Sequence, residues 1–149
     1  MGLYIGRYSN VSVVKTIQER LRASQPFQTL VHACQTREEG AISGTVRSGR
    51  AMICAELTKH LPNALMAIEP DETEAKRFYE DCSALLPEDE VVWFPPLGSR
   101  FWAEIGPPHS LVGRRLATLN ALVDAHPRLI VTCAQAILEC VASPDVLRQ

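Results

Sequence analysis

The chain has 149 residues, the size of one domain, and its 46% hydrophobic and 21% charged content is that of an ordinary globular protein able to bury a real core. Fifteen Lys and Arg against seventeen Asp and Glu leave a formal charge of −2, which excludes the broad basic field that holds nucleic acid by counterion release, so no autonomous DNA binding is expected. There is no charged-then-apolar leader and no apolar run near the roughly 20 residues of a membrane span, which points to a cytoplasmic protein with no membrane partner.

Asn10 can cap a first helix, with Val13, Val14, Ile17 and Leu21 at helical spacing and Lys15, Gln18, Glu19 and Arg22 between them. A mixed segment through Gln25-Pro26-Phe27 and Leu30-Val31 then leads into a polar loop, Thr36-Arg37-Glu38-Glu39-Gly40. The brief Ala41-Ile42-Ser43 reads as a strand entering a glycine-bearing turn, and Ala51 to His60 as a helix with Ile53, Cys54 and Leu57 inward, stopped by Pro62. Ala64 to Ile68 is a continuous apolar run of strand length, as expected for a strand buried on both faces. The next helix sets Ala75, Phe78, Tyr79, Cys82, Leu85 and Leu86 at three- and four-residue steps, with Asp71, Glu72 and Glu74 at its positive end.

Val91 to Phe94 reads as another strand, halted by Pro95-Pro96, and Gly98 to Ser110 as a loop. A long helix follows, with Val112, Leu116, Leu119, Leu122 and Val123 on one stripe and Arg114 and Arg115 off it. Last come a strand, Leu129 to Thr132, and a helix, Ala134 to Val141, closed by Pro144. Strands alternating with helices at this pace predict an α/β fold of three layers, a mostly parallel sheet flanked by helices. Residues 1–35 are expected to pack as a helical segment on an α/β domain spanning 36–149, the two forming one structural unit.

The turn Gly44-Thr45-Val46-Arg47-Ser48-Gly49-Arg50-Ala51 has the glycine spacing of a phosphate-binding loop. Such a loop cradles phosphates with backbone N–H groups, reaches the terminal phosphates with Lys and ligates Mg²⁺ through a Ser or Thr hydroxyl. Here Arg50 stands for the Lys and Ala51 for the hydroxyl residue, so the charge is bulkier and the metal loses a ligand. Gly44, Ser48, Gly49, Arg50 and Ala51 therefore read as a vestigial nucleotide site, and two glycines before a helix are also an ordinary turn. Glu69 ends its apolar run where it imitates a Walker B acid, although a capping or solvated carboxylate ahead of Pro70 and Asp71 is the simpler reading.

Arg114 and Arg115 read first as solvated surface and second as bidentate contacts for phosphate or a protein partner. Phe101 and Trp102, in a Gly/Pro-rich loop, suit either an aromatic anchor for a partner or a lid folded back on the sheet. His32, His60, His109 and His126 stand far apart with no Cys or acid at ligand spacing, so no metal site and no cofactor are expected. The five cysteines, Cys34, Cys54, Cys82, Cys133 and Cys140, contain no C-x-x-C pair and read as reduced and mostly buried. No nucleophile elbow is present, so no catalytic residue is assigned.

With the degenerate loop at Gly44 to Ala51, the strand and helix from Ala64 to Leu86, and Val91-Val92-Trp93-Phe94-Pro95 in this order, the chain resembles the N-terminal UvrB-homology module of bacterial transcription-repair coupling factors. Pro107-Pro108-His109-Ser110 leading into Arg114 to Leu119, Leu129 to Thr132 with Ala136-Ile137-Leu138, and Ala142-Ser143-Pro144-Asp145 extend the resemblance over roughly residues 36 to 149. It implies a degenerate RecA-like P-loop lobe, similar to the first motor-like lobe of the excision-repair protein UvrB. UvrB itself keeps an intact phosphate loop and a long strand-separating hairpin, for which the segment Pro95 to Ser110 is too short.

The resemblance implies a non-catalytic structural and interaction module in nucleotide excision repair. Its partners would be UvrA and RNA polymerase, met through a parent protein that is an ATP-dependent DNA translocase, together with other domains of that parent. The stop near the border of the second domain suggests an excised piece. The alternative from the enzyme class is an atypical P-loop NTPase in which Arg50 replaces Lys and the metal is held from elsewhere, through Glu69 for example.

Overall fold

The computed structural model describes residues 8–98, 109–124, 127–139 and 141. Three strands, β1 (Leu65–Glu69), β2 (Val91–Phe94) and β3 (Leu129–Cys133), form an all-parallel sheet in the order β1-β3-β2. Leu65 and Val91 both register with Leu129. The last strand in sequence is thus the central one, and its five residues are all buried. β1 is an edge strand, contrary to the reading of its apolar run as buried on both faces. Its side chains alternate, and Met66 and Ile68 are 52% and 55% exposed. An apolar run in a strand does not distinguish a central strand from an edge strand whose outer face lacks a covering helix.

Among the described residues six helices accompany the sheet: α1 (Tyr8–Ala23), α2 (Gln25–Thr36), α3 (Arg47–Leu57), α4 (Glu72–Ser83), α5 (His109–Asp124) and α6 (Ala134–Leu138). α4 is the best defined by its own sequence: the Asp71 carboxylate accepts the Glu74 N–H at 2.9 Å, and Glu72 and Glu74 occupy the first turn. Its apolar stripe, Ala75, Phe78 and Cys82, is buried against Ala51 and Ala55 of α3 and Val91, Trp93, Leu129 and Val131 of the sheet. Burying a side chain of the size of Phe78 contributes about 2–3 kcal/mol.

Trp93 turns toward α4, where its ring lies 6.2 Å from that of Tyr79, whereas Phe94 lies 4.1 Å beneath the Arg115 guanidinium of α5. Successive strand residues face opposite sides, so α4 and α5 cover opposite faces of the sheet. This is the α/β layering expected from the alternation of elements.

Two predicted segments differ. The mixed stretch after residue 24 is the helix α2, entered through Pro26 in its first turn and closed by Arg37 in the left-handed conformation. Proline fits the first turn because its missing N–H would have no helical partner there. Phe27 and Val31 of α2 meet Leu57 of α3 in a second apolar cluster, which anchors the N-terminal helices. Residues 41–43, in contrast, form no strand and are exposed. Three residues with only Ile42 as a large apolar side chain, leading into Gly44 at φ 77°, have too little to bury to hold a place in the sheet.

Buried charge ties the layers. Glu56 of α3 is fully buried and receives Arg22 of α1 at 2.7 Å and Lys59 at 3.0 Å. Arg128, just before β3, donates to the carbonyls of Thr58 and Leu61, groups left without helical partners past the end of α3.

Candidate functional site

α3 begins at Arg47, four residues earlier than its pattern suggests, with the extended Val46 ahead of it. Ser48, Gly49 and Arg50 therefore lie inside the helix, and the Arg50 N–H already donates to the Val46 carbonyl at 2.9 Å. Only Gly44-Thr45-Val46 remains as the turn, so half of the presumed phosphate cradle is wound into helix. The two glycines are not equivalent. Gly44 needs its left-handed φ of 77°, whereas a Cβ placed on Gly49 would meet Val46 Cγ2 at 3.8 Å, an ordinary contact.

Ala51 is fully buried in the main core cluster, and a hydroxyl at that position would be surrounded by apolar side chains rather than aimed at a metal. Ser48 is exposed.

Arg50 and Glu69, read separately from the sequence, are brought together. Arg50 Nη1 lies 3.0 Å from Glu69 Oε1, and both Nη1 and Nη2 lie 3.3 Å from Oε2. The guanidinium also lies over the Phe78 ring at 5.5 Å. The side chains differ in burial: Glu69 is 6% exposed and Arg50 44%. Contrary to the reading of Glu69 as a cap or a solvated carboxylate, Asp71 does the capping and Glu69 is an internal anion with its own cation. An anion that drew Arg50 away from Glu69 would leave a buried carboxylate unpaired, a cost moderated by the partial solvation of the guanidinium. Beside the pair is a cavity of about 300 Å³, lined among others by Ile42, Thr45, Ile53, Ile68 and Phe78, more apolar than a phosphate site requires.

Arg47 is paired as well, with Asp81 at 3.0 Å and Glu74 at 3.8 Å, which fastens the start of α3 to α4. Cys54, on α3 next to the pair, has its thiol pushed up to about 11 by burial, with Arg50 opposing; burial likewise pushes Cys82 up to about 12. At neutral pH both are thiols, the unreactive form. Among the described residues no group of three His, Cys, Asp or Glu side chains is placed to hold a metal ion.

The two adjacent arginines part company. Arg114 is exposed, but Arg115 is buried: Nη1 donates to the Pro95 carbonyl at 2.9 Å and to Glu139 Oε2 at 2.8 Å, and that same oxygen accepts the Leu97 N–H at 2.7 Å. Burial lowers the Arg115 pKa and Glu139 opposes the shift. Solvated surface thus describes Arg114 only, and Arg115 is a tie between the β2 exit and α6, with no guanidinium left at the surface for a partner. The (i, i+1) spacing hid this, since neighbouring helix positions point about 100° apart. Phe101 and Trp102 lie outside the described residues.

Gly49→Ala is expected to raise stability by about 0.5–1 kcal/mol, the ordinary gain at a helical glycine with room for a methyl group. A loss of stability in chemical denaturation would show that the position needs glycine. Alkylation of Cys54 by iodoacetamide should stay negligible at pH 8, where only about one thiol in a thousand is ionised, and should climb as pH approaches 11; fast labelling at pH 7, followed by mass spectrometry, contradicts this.

Compared with known families and curated proteins, the sequence matches no family model and no curated relative.

Proposed function

We propose that this chain is a non-catalytic α/β interaction module, a degenerate RecA-like P-loop lobe of the UvrB-homology kind, serving a transcription-repair coupling factor in nucleotide excision repair. In that role it helps present the UvrA-recruiting region of the parent protein to a stalled RNA polymerase, in the cytoplasm, while the ATP-driven translocation belongs to another part of the parent. The ordered sequence segments support the family. The Arg50–Glu69 pair supports the loss of chemistry, and it is the observation that carries the reading.

A phosphate loop works because its cation is available to the terminal phosphates and its hydroxyl to Mg²⁺. Here the cation is committed to a buried carboxylate of the same chain, and the hydroxyl position is core. The acid that the atypical-NTPase reading would assign to the metal is the one that Arg50 neutralises. What this arrangement does well is hold α3 against the end of β1, giving a firm body on which exposed residues such as Arg114 are presented.

Calorimetric titration with Mg-ATP tests the reading. No heat is expected at millimolar nucleotide, and Arg50→Ala should leave that unchanged. Micromolar binding that Arg50→Ala removes would establish the NTPase reading instead.

A further inference from the structure

Residues 39–45, between α2 and α3, are exposed along the whole stretch and leave their main chain unused. The Glu38 N–H donates to the Ala33 carbonyl and Val46 O accepts from Arg50, but among the described residues no backbone group from 39 to 45 is hydrogen-bonded to another. A solvent-facing segment of this kind is the receiving half of β-strand addition, in which the main chain of an extended peptide supplies the missing partners.

Beside the segment runs a groove of about 650 Å³ whose other wall is α2. Pro26, Leu30 and Ala33, at steps of four and three, set one apolar face of that helix along the groove, and Ile42 joins them from the segment. Ile42 is 42% exposed, an apolar side chain that a ligand would cover. Leu30 and Ile42 also line the apolar cavity beside the Arg50–Glu69 pair, so the floor continues inward past them.

The rim selects the occupant by charge. Glu38 and Glu39 are exposed, neither is paired among the described residues, and no lysine or arginine lines the groove. Arg37, which closes α2, is their neighbour in sequence but not part of the wall. The two carboxylates follow the C-terminal end of α2, where the helix dipole adds to the negative potential. The complement of this surface is an extended peptide in which cationic residues flank apolar ones, and the same carboxylates repel nucleic acid.

We propose that this groove binds an extended basic segment of a partner protein, with its main chain paired to residues 39–45, an apolar side chain seated between Leu30 and Ile42, and a lysine or arginine reaching Glu38 and Glu39. The surface goes beyond the proposed module and does not depend on it.

Fluorescence anisotropy with the labelled peptide Lys-Lys-Val-Thr-Val-Lys-Lys tests the proposal; this sequence reads the same in both directions, so the strand polarity need not be assumed. Saturable binding is expected in the micromolar range, about tenfold weaker for the Glu38→Lys/Glu39→Lys double variant and for Ile42→Asp, and absent when Glu replaces every Lys of the peptide. The substituted side chains are exposed, so circular dichroism should show the fold unchanged. Amide exchange at Ala41 and Ser43 should slow in the complex, which a contact between side chains alone does not produce. No saturation at millimolar peptide, equal binding of the Glu peptide, indifference to either variant, or amides that exchange as fast in the complex as in the free chain would overturn the proposal.

Discussion

A carboxylate buried at the end of an edge strand fixes much of what surrounds it. Glu69 is too enclosed to be hydrated and must have a cation within reach, and the helix that supplies it is α3. Arginine suits the task better than lysine. Its planar fork meets both carboxylate oxygens and lies over the Phe78 ring, and it is less strongly hydrated. The residue that looks like a lapse when compared with a phosphate loop is what this pocket calls for. Once Arg50 faces Glu69, Ala51 faces the core, the helix has to begin early, and little of the turn before it is left to wrap an anion.

The same device recurs. Glu56 receives Arg22 of α1 and Glu139 receives Arg115 of α5, each pair joining different elements around the three strands found among the described residues. Such pairs add little net stability, because desolvating two charges offsets most of their attraction. They do penalise other arrangements, since any packing that separates the partners strands a charge in the interior. In a small sheet this discrimination complements the apolar clusters, which are indifferent to modest shifts of one helix over another.

The sequence made some of this legible and hid the rest for physical reasons. β2, β3, α4 and α5 were readable because period and punctuation agree: Asp71 caps, Pro95-Pro96 stops, and Phe78 and Cys82 recur at helical steps. α2 falls in the stretch that reads as a mixed segment, although Ser24 and Pro26 at its start and Phe27, Leu30, Val31 and Cys34 behind them form a helix start with a stripe. The exposure of β1 depends on where the later β3 inserts, which no local window contains. In the candidate site, both Arg50 and Glu69 were singled out, but for roles toward a ligand. That they satisfy each other is a tertiary fact across nineteen positions of chain. The burial of Arg115 beside the exposure of Arg114 was readable in principle from helix geometry, while its partner Glu139 comes from the far end of the chain.

A double-mutant cycle on Arg50→Met and Glu69→Gln, followed by chemical denaturation, tests most directly whether this pair is an internal structural tie. The guanidinium is partly solvated, so the expected coupling is modest, about 1–2 kcal/mol, with Arg50→Met alone costing more than the double variant. Effects that simply add, to within about 0.5 kcal/mol, would mean that Glu69 does not hold Arg50 and that the cation is free for a ligand.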